Sequence, residues 1–394
     1  MNRSHEKIEQ YELGEVCETS SGGTPSRDIA KYWSDGTIPW VKSGEVAQGE
    51  IWSTEEHISV EGLKNSSAKL FPKETVLLAM YGATIGQAGI LKIEASTNQA
   101  ICGIIPSERI SQEYLLQWLK AKKRYIVSLG AGGAQPNISQ SIIRKLLIPI
   151  PSLSEQKRIA AILDAADSIR TMRKAAIAKL DQLAQSLFLE MFGDPVKNEK
   201  GWPKGTLRNL ATAVNYGTSK PSQEKGKYPY LRMNNITYSG ELDLSDLKYI
   251  DATKDELLKY SPNKGDLLFN RTNSKELVGK TTVFNVEQDV VIAGYIIRVQ
   301  TAHIATSMYI SQFLNSRWGK AILKNMCKSI IGMANINAQE LQDIPMLLPP
   351  QAVKERFYSY IEGIGCLREI HKEALAREEA LFSSLQDSAF SGRL

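Results

Sequence analysis

Residues 148 to 167 read "IPIPSLSEQKRIAAILDAAD", a proline-punctuated, β-rich segment that runs straight into a helical pattern. Pro149 and Pro151 cannot continue a sheet ladder or a helix interior. Ser152, followed three residues later by Glu155, forms a capping box, so a helix starts here. Its stop signal is "FGDP", where Gly193 and Pro195 end it. A similar junction, "IPMLLPPQAVKERFYSYIEGIG", returns at residues 344 to 365.

Outward from the two junctions the chain repeats itself. "IPWVKSGEV" (38–46) aligns with "YPYLRMNNI" (228–236), and "LFPKETVLLAM" (70–80) with "YSPNKGDLLFN" (260–270), so that Pro39 and Pro72 each stand 190 residues before Pro229 and Pro262. The offset grows to 195 at "EYLLQWL" (113–119) against "MYISQFL" (308–314), and to 198 at "PNIS" (136–139) against "ANIN" (334–337). From the junctions on it stays constant: Arg158 pairs with Arg356 and Phe192 with Phe390, both 198 apart. Loops tolerate insertions, but each residue added to a packed helix turns its buried face by about 100 degrees. The gapless segment therefore reads as a helix of fixed length.

Its apolar pattern is that of a coiled-coil seam. Ile159, Ile162, Ala166, Ile169, Arg173, Ala176, Leu180, Leu183 and Leu187 alternate steps of three and four. The second copy gives Phe357, Tyr360, Ile364, Leu367, His371, Ala374, Glu378, Leu381 and Leu385, with polar interruptions at Arg173 and His371 that could fix register or lie at a solvated edge. A long apolar stripe needs a partner, and the comparable stripe is its own repeat. Antiparallel pairing is expected, because it holds the two globular regions at opposite ends of a spacer.

The expected fold is α/β (α+β): two mixed domains in a pseudo-two-fold arrangement, separated by an antiparallel coiled coil of two long helices. Residues 1–152 form the first domain, 153–193 the central helix, 194–350 the second domain and 351–394 the C-terminal helix. Short β-rich runs such as "TVLLAMYG", "QAICGIIP", "DLLFNRT" and "DVVIAGYIIRV" sit between Gly, Pro, Asn and Ser punctuation.

Composition narrows the function. The four cysteines and four histidines are scattered without a CxxC pair, which argues against a zinc site or a disulfide framework. No signal sequence or membrane-length apolar run is visible, so a cytoplasmic protein is expected. A net charge of +5 permits a polyanionic partner without demanding one. No GxxxxGK[ST] loop and no Asp/Asn-Pro-Pro-aromatic motif occurs, and no metal or cofactor site is expected; the chain reads as non-catalytic.

Binding signals concentrate in the polar loops, which differ between the halves: "AMYGATIGQAG" stands where "FNRTNSKELVGK" stands. The second half offers Lys220, Arg232, Asn234 and Asn235, then Asn270, Arg271, Asn273 and Lys275, with Asn335. Arg and Asn make two-pronged hydrogen bonds to guanine and adenine edges in a major groove. The first half offers Arg27, Lys42, Ser43, Tyr81, Thr84, Gln87, Gln135 and Asn137. The same residues also suit a plain structural role, Asn and Ser making turns and Lys and Arg solvating the surface.

With "PSLSEQKRIAAILDAAD" and "LDQLAQSLFLEMFGDP" at its centre and "GGTPS", "IPWV" and "GATIG" before them, the chain resembles specificity subunits of type I restriction-modification systems over essentially its whole length. The second junction departs from the pattern, with Val353 and Lys354 where the first has Glu155 and Gln156. The resemblance implies two target recognition domains, each reading one half of a bipartite, asymmetric sequence in double-stranded DNA, with the helix pair as a ruler. It implies two modification subunits holding S-adenosylmethionine and methylating adenine, and optionally two restriction subunits using ATP and Mg; no cofactor is implied on this chain. The residues taken alone also fit a structural adaptor with two protein-binding domains on a coiled-coil rod, which predicts no DNA sequence preference.

Overall fold

A computed structural model describes residues 8–130, 137–274, 277–330 and 333–394. The chain divides into two compact units, one of residues 1–174 with 373–394, the other of residues 175–372. Five helices matter below: α1 (Gln112–Ser128), α2 (Leu153–Phe192), α3 (Ile304–Asn315), α4 (Arg317–Met326) and α5 (Gln351–Phe390).

The main sheet of unit one runs in the order Cys17–Ser21, Ile101–Pro106, Val76–Ala79, Ala88–Leu91, Glu50–Ile51. Its central strands, "VLLA" and "AGIL", are buried at every position, because both faces of the sheet are covered. Val76, Leu78, Cys102 and Ile104 pack with Tyr114, Leu115 and Trp118 of α1. Leu77 and Ile101 join Val41 and Phe71 in a second cluster. Gly103 is required where Phe71 crosses, since a Cβ there would meet the ring at 2.3 Å.

Unit two repeats this frame. Its main sheet runs Ala211–Tyr216, Ile296–Thr301, Leu267–Asn270, Thr281–Val283, the order of the first four strands in unit one. Tyr228–Leu231 pairs antiparallel with Lys248–Ile250 and parallel with Val291–Ile292. Ile38–Val41 does the same with Glu56–Ile58 and Ala95–Thr97. One interior detail differs: where unit one sets Gly103 opposite Leu77, unit two sets Arg298 opposite Leu268. The buried Arg298 pairs with the buried Asp266 at 2.5 Å.

The long helices start and stop as their signals require. Ser152 Oγ accepts the Glu155 backbone N–H at 3.3 Å. Gly193 turns the chain with φ 78°, and the Trp202 indole N–H takes the Phe192 carbonyl at 3.1 Å. Gln156, fully buried, ties α2 to the start of α1: its Oε1 accepts the Ser111 N–H at 2.8 Å and its amide donates to the Arg109 and Pro151 carbonyls at 2.9 Å.

Within each unit the helices pair antiparallel. In unit one, Arg173 meets Glu378 at 2.8 Å, Lys174 meets Glu379 at 3.0 Å and Arg170 lies over the Phe382 ring at 4.2 Å. In unit two, Arg368 meets Asp181 at 3.2 Å, while Phe188, Phe192, Phe357 and Tyr309 form an aromatic cluster with centroids 4.6–5.9 Å apart.

The seam differs from the expected one in one of its two columns. Ile159, Ala166, Leu180, Leu187, Phe357, Ile364 and Leu385 are buried or half-buried as expected. The second column is shifted by one residue: Leu163, Arg170, Ala184, Ile361, Arg368, Phe382 and Ala389 pack, and Ile162 is only half-buried. Ile169, Leu183, Tyr360, Leu367 and Leu381 are instead 48%, 47%, 47%, 51% and 59% exposed. Both columns are largely apolar, so periodicity alone does not separate them. The packed column is the one whose polar members find partners, Arg170 on Phe382 and Arg368 on Asp181.

Candidate nucleic-acid interface

The polar loops of each unit are built on equivalent supports. In unit one, the buried Glu45 accepts the Lys42 N–H at 2.7 Å and the Glu55 N–H at 3.0 Å. In unit two, Asn235 stands at this place: its Oδ1 accepts the Arg232 N–H at 2.9 Å and its amide donates to the carbonyls of Asp243 and Asp246. Asn235 is 2% exposed and fully engaged, so it braces a turn and presents nothing outward. Asn234 beside it is exposed.

Arg27 and Lys42 are held in one network. The Arg27 guanidinium lies 3.5 Å over Trp33 and 5.2 Å from the Trp40 ring centroid, and it pairs with Glu56 at 2.7 Å. That pairing holds the Glu56 carboxyl below its ordinary value. Lys42 pairs with Glu55 at 2.5 Å, which raises its amine, and Ser43 follows it half-exposed. In unit two, Lys220 pairs with Glu256 at 2.5 Å, and Arg232 reaches Asp246 at 3.1 Å. These four cations thus all stand in ion pairs.

The second loop group is a hairpin tip. In unit one the tip runs from Met80 to Ile85: Gly86 N–H donates to the Ala79 carbonyl at 2.8 Å, and Ala79 N–H to the Gln87 carbonyl at 2.9 Å. Unit two closes the same way, Gly279 N–H donating to Asn270 and Asn270 N–H to Lys280, both at 2.9 Å. Gly86 and Gly279 share the left-handed conformation, φ 74° and 77°, which only glycine adopts without strain. The enclosed tips differ in length and polarity.

Each tip is joined to the segment that follows α1 or α4. Tyr81 forms a bridge with Asn137, and Thr84 and Gln87 lie half-buried in the same turn. In unit two, Thr272–Asn273 pairs with Met333–Asn335, and the Thr272 hydroxyl donates to Asn335 Oδ1 at 3.3 Å. Arg271 sits 4.9 Å over the Tyr216 ring, and its buried Nε has no hydrogen-bond partner among the described residues. Arg271, Asn273 and Asn335 are therefore brought together. Asn270 is fully buried at the base of the tip, and Asn273 caps the Ser274 N–H at 2.8 Å. Gln135 and Lys275 lie outside the described residues.

Two copies of one frame, each with its own polar tips, agree with the comparisons. A family model described as "Type I restriction modification DNA specificity domain" matches residues 5–182 and again residues 199–377. The chain belongs to this type I DNA specificity family. Similar proteins include the specificity subunit of the MjaIX type I restriction enzyme of Methanocaldococcus jannaschii, 26% identical over 378 residues, 89% of this chain and 85% of that one. The EcoKI specificity subunit of Escherichia coli is 26% identical over 390 residues, 92% of this chain and 84% of that one.

Among solved structures, the type I restriction-modification S subunit from M. genitalium superposes with a TM-score of 0.58 at 13% identity, covering 99% of this chain and 98% of that one. A chain from a study of complex assembly in the type I R-M system gives 0.59 at 18%, covering 99% of both. At these identities the likeness is one of fold. Among the described residues, the specificity chain shows no acidic, His or Cys cluster able to hold a metal, and no helix long and apolar enough to cross a membrane.

Apart from Tyr81, sequence reasoning passed over the aromatic residues of these sites. Trp33 and Trp40 orient Arg27, Tyr216 orients Arg271, and Tyr295, 52% exposed, takes the Arg271 N–H on its carbonyl. The available signal was an aromatic residue beside glycine in "NYG" and "AGY".

Proposed function

We propose that each unit of this specificity subunit reads one half of a bipartite, asymmetric DNA target. The observation that carries the reading is the repeated hairpin base, Ala79 to Gly86 and Asn270 to Gly279, beneath tips of different chemistry. Identical readers about a two-fold axis favour palindromes; two different readers on equivalent frames do not. In unit two the readers are Arg271, Asn273 and Asn335, with Asn234 on the neighbouring loop. In unit one they are Tyr81, Thr84, Gln87 and Asn137, with Arg27 and Lys42 meeting backbone phosphate once their ion pairs open.

The two 40-residue helices act as the ruler that fixes the unspecified gap, and as the dock for two adenine-methyltransferase subunits. Exposed apolar residues on the helices of each unit, Ile169 and Leu381 in unit one and Leu183, Tyr360 and Leu367 in unit two, support docking, because apolar residues left in water mark interaction surfaces. S-adenosylmethionine would be held by those methyltransferase subunits, which supply the methyl group, and restriction subunits with ATP and Mg would join through the same complex. This chain contributes recognition and no catalysis.

The experiment is adenine-methylation mapping by sequencing in cells carrying this chain with its cognate methyltransferase subunit, compared with cells lacking it. A bipartite asymmetric motif that disappears on deletion is the expected result. Unchanged methylation would return the chain to the class of structural adaptors.

A further inference from the structure

Helix α1 of unit one carries "KAKKR" at residues 120–124. Lys120, Lys122, Lys123, Arg124 and, from the end of the chain, Arg393 line a cleft of about 650 Å³ between α1 and the last turns of α5, with Asp387 as its acidic residue. Among the described residues none of these five cations is within ion-pair distance of a carboxylate. Elsewhere in the unit cations are consumed, as in Lys31 with Glu61, Lys92 with Glu74 and Arg158 with Glu155. Lys120, Lys123 and Arg124 stand at helical spacings of three and four, where like charges repel. The helix thus concentrates unneutralised charge on one face.

The position of this face is informative. A Cβ placed on Gly86, at the base of the hairpin tip, would lie 2.8 Å from Val127 and 3.1 Å from Lys123 Cγ, so the basic run and the tip adjoin. Its lining is mainly polar, with Phe390 half-buried at the edge, and it lacks the exposed aromatic anchors of a protein hot spot. We propose that this cleft takes the phosphate backbone of duplex DNA beside the half-site that unit one reads, giving affinity without sequence preference. The inference rests on the recognition reading above.

The test uses the full chain assembled with its methyltransferase subunits, binding a duplex with the mapped target or a scrambled duplex over a range of KCl. Replacing Lys120, Lys122, Lys123 and Arg124 by Gln is expected to make the slope of log K against log salt shallower by about 2 to 4, at about 0.9 per phosphate contact. Affinity should fall by the same factor for both duplexes, so their ratio stays within about threefold. Should the fourfold variant fold poorly by circular dichroism, the pair Lys122→Gln and Arg124→Gln, both exposed, is expected to shift the slope by about 2.

An unchanged slope in a folded variant would overturn the proposal. So would weaker binding of the methyltransferase subunits with the DNA slope intact, which would assign the cleft to an acidic protein surface. Wild-type assembly that does not distinguish the two duplexes would sink the recognition reading, while the slope change would still decide the cleft.

Discussion

Adjacent residues Tyr360 and Ile361 of α5 separate the observed seam from its alternative. Ile361 is 9% exposed and packs in the core of unit two; Tyr360 is 47% exposed. Ile361→Ala removes three carbons, at about 0.8 kcal/mol each when buried, or roughly 2.2 kcal/mol after allowing for residual exposure. The cavity left behind brings the loss to about 3 kcal/mol. Tyr360→Ala gives up half-solvated surface and gains about 0.5 kcal/mol of helix propensity, for a net change within about 1 kcal/mol. Urea unfolding followed by hydrogen exchange of the α5 amides measures both. Titration of the methyltransferase subunit should rank them in the opposite order, Tyr360→Ala weakening association more. Equal losses of stability would place the tyrosine on the seam and refute the assignment.

Two further outcomes are expected. Asp266→Asn strands the buried Arg298 charge and should destabilise unit two by roughly 3 to 5 kcal/mol, read from amide exchange in residues 296–301. Asp266→Val with Arg298→Met should recover to within about 2 kcal/mol of wild type, since unit one keeps the equivalent positions, Thr75 and Gly103, without charge; a double variant no better than the single would contradict this. The second concerns Lys320, whose amine is held down at about 8, from 10.5, by burial and then by the Lys280 ammonium. As pH falls through 10.5 the unfolded chain takes the proton first, so this group's contribution is most favourable above 10.5 and declines to a plateau below 8. Relative to Lys320→Met, the wild-type melting temperature should therefore rise between pH 8 and 10.5, and an equal profile for both would exclude it.

The repeat was legible because framework positions are fixed by packing: Pro39 and Pro229, and Trp40 and Tyr230, hold the second and third positions of equivalent strands. Helix limits were legible because caps are local, as Ser152 and Gly193 show. The second seam column was not, because Ile162 and Leu163, or Leu381 and Phe382, are equally apolar and only tertiary partners choose between them. Loop chemistry misled in another way. Asn235 carries the side chain of a base reader, yet its equivalent is Glu45, and both are consumed by a turn. Arg27 and Lys42 read as free cations because Glu55 and Glu56 lie on a neighbouring strand and its approach, which no local pattern connects to them.

The closed hairpin base has a consequence for how such a protein changes over time. Because Gly86 and Gly279 finish their turns with the same pair of hydrogen bonds, the strands beyond them do not register how many residues the tip holds. Substitutions or small insertions at exposed positions such as Ala83 or Leu277 burden the fold little, whereas Met80, Tyr81, Ile85 and Val278 lie in or against the cores and anchor each tip. A scaffold of this kind separates change at the exposed part of a tip from the stability of the sheet beneath it, in each unit by itself.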